Sequence, residues 1–287
     1  MTASLNTPEG PLAYAQIGSG APLLIIHGGP GSTRDYVTPL AEGLAAQFSC
    51  ITFDHPGNAD SPVRKVNAAS VGLDTILRQA ERLRCHLGIE CWHVLGHSFG
   101  GLAALQYACR HPSRVSKLAL VASCGADLSF MAYFRDNLAS RQSAAQRLAM
   151  PIIRARLGAG TATAQDEAAM NLMLAQAMVF RADAVAQTAE RFATTDKFNA
   201  QVNAVAWQDL IDRQFDITSQ ISNIKAPTLI VAGRQDYVGE AVPLNTARLM
   251  PHAQLHWLNR CGHMPWVDSP DEFYALVRGF LGAAQPP

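Results

Sequence analysis

The sequence is short of charge, of lysine and of long apolar runs. Of its 287 residues 16% are charged and 48% hydrophobic, and 23 basic residues balance 23 acidic ones. So little charge beside so much apolar surface excludes a disordered chain. A net charge of zero removes any general pull toward phosphate backbones or anionic lipid. The basic residues are 19 Arg and four Lys, scattered rather than blocked, so no nucleic-acid partner is expected. No run of about 18 apolar residues occurs, so no membrane span is expected. The opening MTASLNTPEG lacks the basic-then-apolar order of a secretory signal, so a soluble, cytoplasmic protein is the expectation. Paired cysteines are missing too: Cys50, Cys85, Cys91, Cys109, Cys124 and Cys261 form no C-x-x-C and no zinc-ligand spacing with the nine histidines. No metal site or disulfide framework is expected, and Cys50, Cys91 and Cys109 read as reduced, buried thiols.

Short apolar runs alternate with longer amphipathic segments over the first 125 residues. Leu12–Ile17, Pro22–His27, Ser49–Asp54, Trp92–Gly96 and Leu118–Ala122 read as strands, and Thr33–Phe48, Ser70–Leu87 and Gly100–Arg110 as helices between them. That alternation predicts a mostly parallel sheet with helices on both faces. It stops near Gly125. From there to Asn223 the chain is rich in Ala, Met, Arg and Gln; LASRQSAAQRLAMPIIRARLG and EAAMNLMLAQAMVFRADAVAQTAERF each read as helical. The rhythm then resumes with strand Thr228–Val231, helix Ala241–Met250, strand Gln254–Leu258 and a closing helix from Pro270. At about 150 residues per domain the length allows two domains or one with a large insertion. The pattern favours the second: an α/β core of residues 1–124 and 224–287, interrupted by a helical insertion at 125–223.

The sharpest chemical signal is Gly96-His97-Ser98-Phe99-Gly100, a G-x-S-x-G between a strand and a helix. Such a turn strains the serine backbone and exposes its Oγ, while glycines leave room for close helix–strand approach. A serine hydroxyl needs a base, and the base needs an orienting acid. Asp236 follows the strand TLIVAG and His263 the strand LHWLN, at the carboxyl edge where open α/β sheets gather their ligands. Asp54, also at a strand end, reads as an organiser of its own loop. His97, His27, His93 and His111 read as structural. His27-Gly28-Gly29-Pro30-Gly31 follows the strand PLLII, and its spacing is not that of a dinucleotide site. Acyl transfer builds charge on a carbonyl oxygen, which backbone N–H groups stabilise; Gly29 and Phe99 are the candidate donors.

Together these residues resemble the alpha/beta-hydrolase superfamily, and HGGPG resembles its proline iminopeptidase branch. The resemblance rests on HGGPG at 27–31, FDHPGNADS at 53–61, GHSFGG at 96–101, GRQD at 233–236 and CGHMP at 261–265. It implies an alpha/beta-hydrolase fold whose helical insertion is a cap over the site. It further implies a Ser98–His263–Asp236 triad with Gly29 and Phe99 as the oxyanion hole, and no cofactor. Pro56 and Ala59 stand where relatives carry Arg and a second Gly, and the elbow is GHSFGG rather than G-G-S-W-G. Gly28, Phe130, Tyr133, Phe134, Trp207 and Met264 are candidate substrate contacts.

An esterase or amidase acting on a small, partly apolar substrate is expected first. A proline iminopeptidase acting on a short peptide is the alternative; it would need carboxylates for the substrate amine, and Glu167 and Glu190 are the glutamates the insertion offers. A carbon–carbon bond hydrolase or lyase, or a non-catalytic ligand-binding member of the fold, would keep the same residues. Serine at 98 argues against the branches that use an aspartate nucleophile. No surface in the sequence is singled out for oligomer formation.

Overall fold

A computed structural model describes residues 2–195 and 198–283. Met1, residues 196–197 and residues 284–287 lie outside the described residues, and with them the two ends assigned to the core and two positions of the insertion. The strands are β1 (Thr2–Thr7), β2 (Gly10–Ile17), β3 (Ala21–Ile26), β4 (Phe48–Phe53), β5 (Trp92–His97), β6 (Val115–Val121), β7 (Thr228–Gly233) and β8 (Gln254–Leu258). They form one sheet in the order β1-β2-β4-β3-β5-β6-β7-β8. From β4 to β8 neighbouring strands run parallel, while β1 and β2 pair antiparallel at one edge.

Both faces of the sheet are covered, which is why its central strands are continuous apolar runs rather than alternating ones. In β3, Leu24 and Ile26 pack with α3 (Leu73–His86) and α4 (Phe99–Arg110) on one face. Leu23 and Ile25 pack with α1 (Thr38–Leu44) and α12 (Pro270–Gly282) on the other. Order reverses between β3 and β5, whose neighbours lead away in opposite directions. At such a switch point the two following loops diverge and leave a crevice at the carboxyl edge. The HGGPG loop and the serine elbow are those two loops.

Several expected elements are corrected by the structure. Strand β1 was not expected; TASLNT is mostly exposed and carries no apolar run, its order coming from the hairpin register with β2. The helix expected over Thr33–Phe48 is a 3-10 turn at Arg34–Val37 followed by α1, and Phe48 opens β4. The helix expected over Ser70–Leu87 is two, α2 (Ala68–Val71) and α3. They break at Gly72, where a Cβ would lie 2.8 Å from Asp209 Oδ2. Cys91 is exposed, just before β5 begins, rather than buried; Cys50 and Cys109 are buried.

Between β6 and β7 the chain forms α5 (Met131–Ser140), α6 (Ala144–Gly158), α7 (Ala164–Met178), α8 (Val185–Thr195) and α9 (Ala200–Asp212). The two long helical readings there are each split in two. Ser143 and Gln146 build a capping box that starts α6 afresh, and extended backbone at Val179 ends α7. Among the described residues no helix is long and apolar enough to cross a membrane.

Candidate active site

Ser98 stands between β5 and α4 with φ 58° and ψ −123°, a conformation that strains an L-residue. Three glycines make the elbow possible. A Cβ on Gly96 would overlap the Gly100 carbonyl, one on Gly100 the Ile26 carbonyl, and one on Gly101 the Ser123 side chain. The Ser98 carbonyl accepts hydrogen bonds from Gly101 N (2.9 Å) and Cys124 N (3.1 Å), which lock the turn from both sides. The Cys124 thiol lies 3.9 Å from Ser98 Oγ and is pushed up to about 12 by burial, so it stays protonated.

Across the edge, Asp236 follows β7 and His263 follows β8. Both Asp236 carboxylate oxygens face His263 Nδ1, at 2.9 and 3.0 Å. A carboxylate can only accept, so Nδ1 carries the proton and Nε2 is left as the basic nitrogen. Nε2 is buried with no hydrogen-bond partner among the described residues. Tyr237 covers the imidazole, ring centroids 4.5 Å apart.

His97 and Tyr36 join the elbow to the loops on either side, a link the sequence reading missed. The Gly28 N–H donates to Tyr36 Oη, and Tyr36 O–H lies 2.9 Å from His97 Nδ1. His97 Nε2 lies 2.8 Å from the His263 carbonyl and must be the donor there. One chain of hydrogen bonds therefore runs from the glycine loop through the elbow to the histidine loop. It requires neutral His97, and burial holds that ring well below the usual imidazole range. Nothing in residue spacing signals it, since Tyr36 and His97 are 61 positions apart.

His27 stacks on His55, centroids 3.6 Å apart, and accepts from the His55 N–H at 3.3 Å. Asp54 does not organise its own loop: its carboxylate crosses to the turn after the HGGPG loop, paired with the buried Arg34 guanidinium and accepting from the Arg34 N–H at 2.9 Å. Ala59 has a φ of 40°, in the left-handed region that favours glycine.

Gly29 has φ 52°, and Phe99 is the first residue of α4, where a backbone N–H has no intrahelical acceptor. Neither N–H donates to another group among the described residues. The Gly28 N–H, by contrast, is already committed to Tyr36; a Cβ at Gly28 would come within 2.6 Å of Ser98 Cβ. Phe130, Phe134 and Trp207 are brought together: Trp207 packs 5.2 Å from Phe99 and 5.8 Å from Phe130, and Phe134 lies 5.1 Å from Tyr237. Tyr133 lies beside this group, against Gly239. Met264 is not part of it; its side chain is buried in the core cluster on the opposite face, with Trp266 and Val179.

Residues 21–270 match the family described as the alpha/beta hydrolase fold, and the chain belongs to that family. Within it the chain is proline iminopeptidase-like. It is 27% identical over 278 residues to a proline iminopeptidase of Heyndrickxia coagulans, covering 94% of this chain and 93% of that one. It is 29% identical to a 2-hydroxy-6-oxononadienedioate/2-hydroxy-6-oxononatrienedioate hydrolase of Pseudomonas putida, covering 94% and 91%. An alpha/beta fold family hydrolase from Bacillus anthracis superposes with a TM-score of 0.83 at 21% identity, covering 98% of this chain and 99% of that one. The chain is a hydrolase.

Proposed function

We propose that this hydrolase cleaves an ester or amide bond of a small, partly apolar substrate through an acyl-enzyme on Ser98. The observation that carries the reading is the Asp236–His263 pair, which leaves a basic Nε2 unpartnered at the same sheet edge as a strained, elbow-borne serine. In this reading Oγ attacks the substrate carbonyl while Nε2 takes its proton. The imidazolium so formed is stabilised by Asp236 and then protonates the leaving oxygen or nitrogen. Water, deprotonated by the same nitrogen, attacks the acyl-enzyme ester, and the imidazolium then returns that proton to Oγ as the C–Oγ bond breaks and the acid leaves. The Gly29 and Phe99 N–H groups stabilise the oxyanion in both halves. Residues 125–223 act as a cap on the core formed by 1–124 and 224–287, and Phe130, Phe134 and Trp207 offer an apolar wall to the acyl or leaving group.

Similarity to proline iminopeptidases favours a second reading, removal of an N-terminal residue from a short peptide. That reaction needs a carboxylate for a cationic amine. Glu167 and Glu190 are both exposed, and Asp166 is occupied by Arg156 and Thr163. Asp183 is paired with Arg181 and Asp209 with Arg213. Those placements support a substrate without an ammonium group. Turnover of a short-chain acyl ester against a prolyl anilide tests the choice. The ester is expected to give the higher kcat/KM, and a strict requirement for a free amine would reverse the order.

A further inference from the structure

The loop that carries Asp236 is gripped from outside the sheet. Asn137 in α5 and Arg141, four positions on, share one side of that helix. Asn137 Nδ2 donates to the Tyr237 carbonyl at 3.1 Å. Arg141 Nη2 donates to the Gln235 carbonyl, and its Nη1 to the Ala177 carbonyl at 3.3 Å. The residues immediately before and after the aspartate are thus both held by side chains of the inserted helices. Among the described residues no backbone N–H donates to either carbonyl.

The same grip reaches the histidine. Gln235 exchanges hydrogen bonds with Cys261: its N–H donates to the Cys261 carbonyl and its Oε1 accepts the Cys261 N–H, each at 2.9 Å. Ala177, the second acceptor of Arg141, adjoins Met178, whose carbonyl accepts the His263 N–H at 2.7 Å. One guanidinium therefore spans the acid loop and the end of α7 that holds the histidine loop. Asp268 adds a brace, accepting from Gly262 N at 2.7 Å and from Phe180 N and Arg181 N at 2.9 Å.

We propose that Asn137 and Arg141 are positioning residues for the reaction, fixing the Asp236 loop against His263 from the inserted helices. The loop's own bonds, such as Val238 N to Asp236 Oδ1 at 2.9 Å, shape the turn. The two external donors set where that turn sits relative to β8. The proposal rests on Asp236 being the acid partner of His263 in catalysis.

Arg141→Ala, Asn137→Ala, Arg141→Lys and Asp236→Asn are compared in the full chain with a chromogenic short-chain ester. A displacement of about 1 Å in a catalytic group is felt as a loss of up to about 100-fold. Arg141→Ala is expected to lower kcat by about 10- to 100-fold with KM nearly unchanged, and Asn137→Ala to lower it less. Arg141→Lys, which keeps a cationic donor, regains most of the loss. The downfield Nδ1 proton resonance of His263 broadens in the alanine variants and sharpens again in Arg141→Lys. Should Arg141→Ala fail to fold, Arg141→Gln, which keeps a donor, carries the comparison. Unchanged kcat with a raised KM, or a loss that merely follows the unfolded fraction, overturns the proposal. Full activity in Asp236→Asn would instead remove the triad reading. Inactive Asp236→Asn beside undiminished kcat in the Asn137 and Arg141 variants would remove the positioning role alone.

Discussion

Replacing Tyr36 by Phe removes one oxygen and leaves two buried polar groups without their partner. The Gly28 N–H loses its acceptor and His97 Nδ1 loses its donor. Tyr36 is 6% exposed and His97 1% exposed, so solvent does not replace the hydroxyl without local opening. An unsatisfied buried group costs about 1–3 kcal/mol, and two give about 3 kcal/mol after partial relaxation. For a domain of this size about 1 kcal/mol moves Tm by roughly 2–4 °C, so Tyr36→Phe is expected to melt about 6–12 °C lower. Denaturant unfolding followed by tryptophan fluorescence gives the same quantity independently, as a lower midpoint at constant slope. A Tm within about 2 °C of the parent would refute the hydrogen-bonded chain.

Acid should weaken the fold before it titrates the surface. Burial holds His27 down to about 4 and keeps His55 and His97 well below their ordinary range. A depressed imidazole pKa contributes stability that is present above pH 6.5 and lost as pH falls toward the folded value. His27 gives a slope of about 1 kcal/mol per pH unit near pH 5, His55 and His97 add to it in the same direction, and Asp54, pushed up to about 6, opposes it; equal unfolding midpoints at pH 7 and pH 5 would contradict the histidine contribution. Ala59→Gly should stabilise by about 0.5–1 kcal/mol, since φ 40° strains alanine and not glycine; a denaturation midpoint below the parent's would count against that backbone strain. Gly100→Ala should leave little soluble, active protein, because a Cβ there meets the Ile26 and His27 carbonyls, and a variant melting like the parent would show that the helix can retreat.

Local chemistry was the legible part. PLLIIH read as a buried strand, and G-x-S-x-G with its flanking strand and helix located the elbow. Asp236 and His263 could be named because each follows a strand by a few residues, and the sheet brings them into hydrogen-bond contact. What the sequence hid was pairing between distant positions. Strand β1 is ordered by its neighbour's backbone and not by its own side chains. Tyr36 looks like one more aromatic in a helix start, and Arg141 looks like a solvated helix-end charge; each is defined by carbonyls or rings far along the chain. Met264 is a further case: beside His263 in sequence, its side chain is buried with Trp266 and Val179, apart from the cluster that holds Phe130, Phe134 and Trp207.

Intact-mass analysis after exposure to a fluorophosphonate tests the central claim most directly. The account predicts one covalent adduct per chain, mapped by peptide sequencing to Ser98 and absent from Ser98→Ala. It also predicts that the adduct forms slowly in His263→Ala. Adduct on another residue, or equal labelling and turnover in Ser98→Ala, would contradict it.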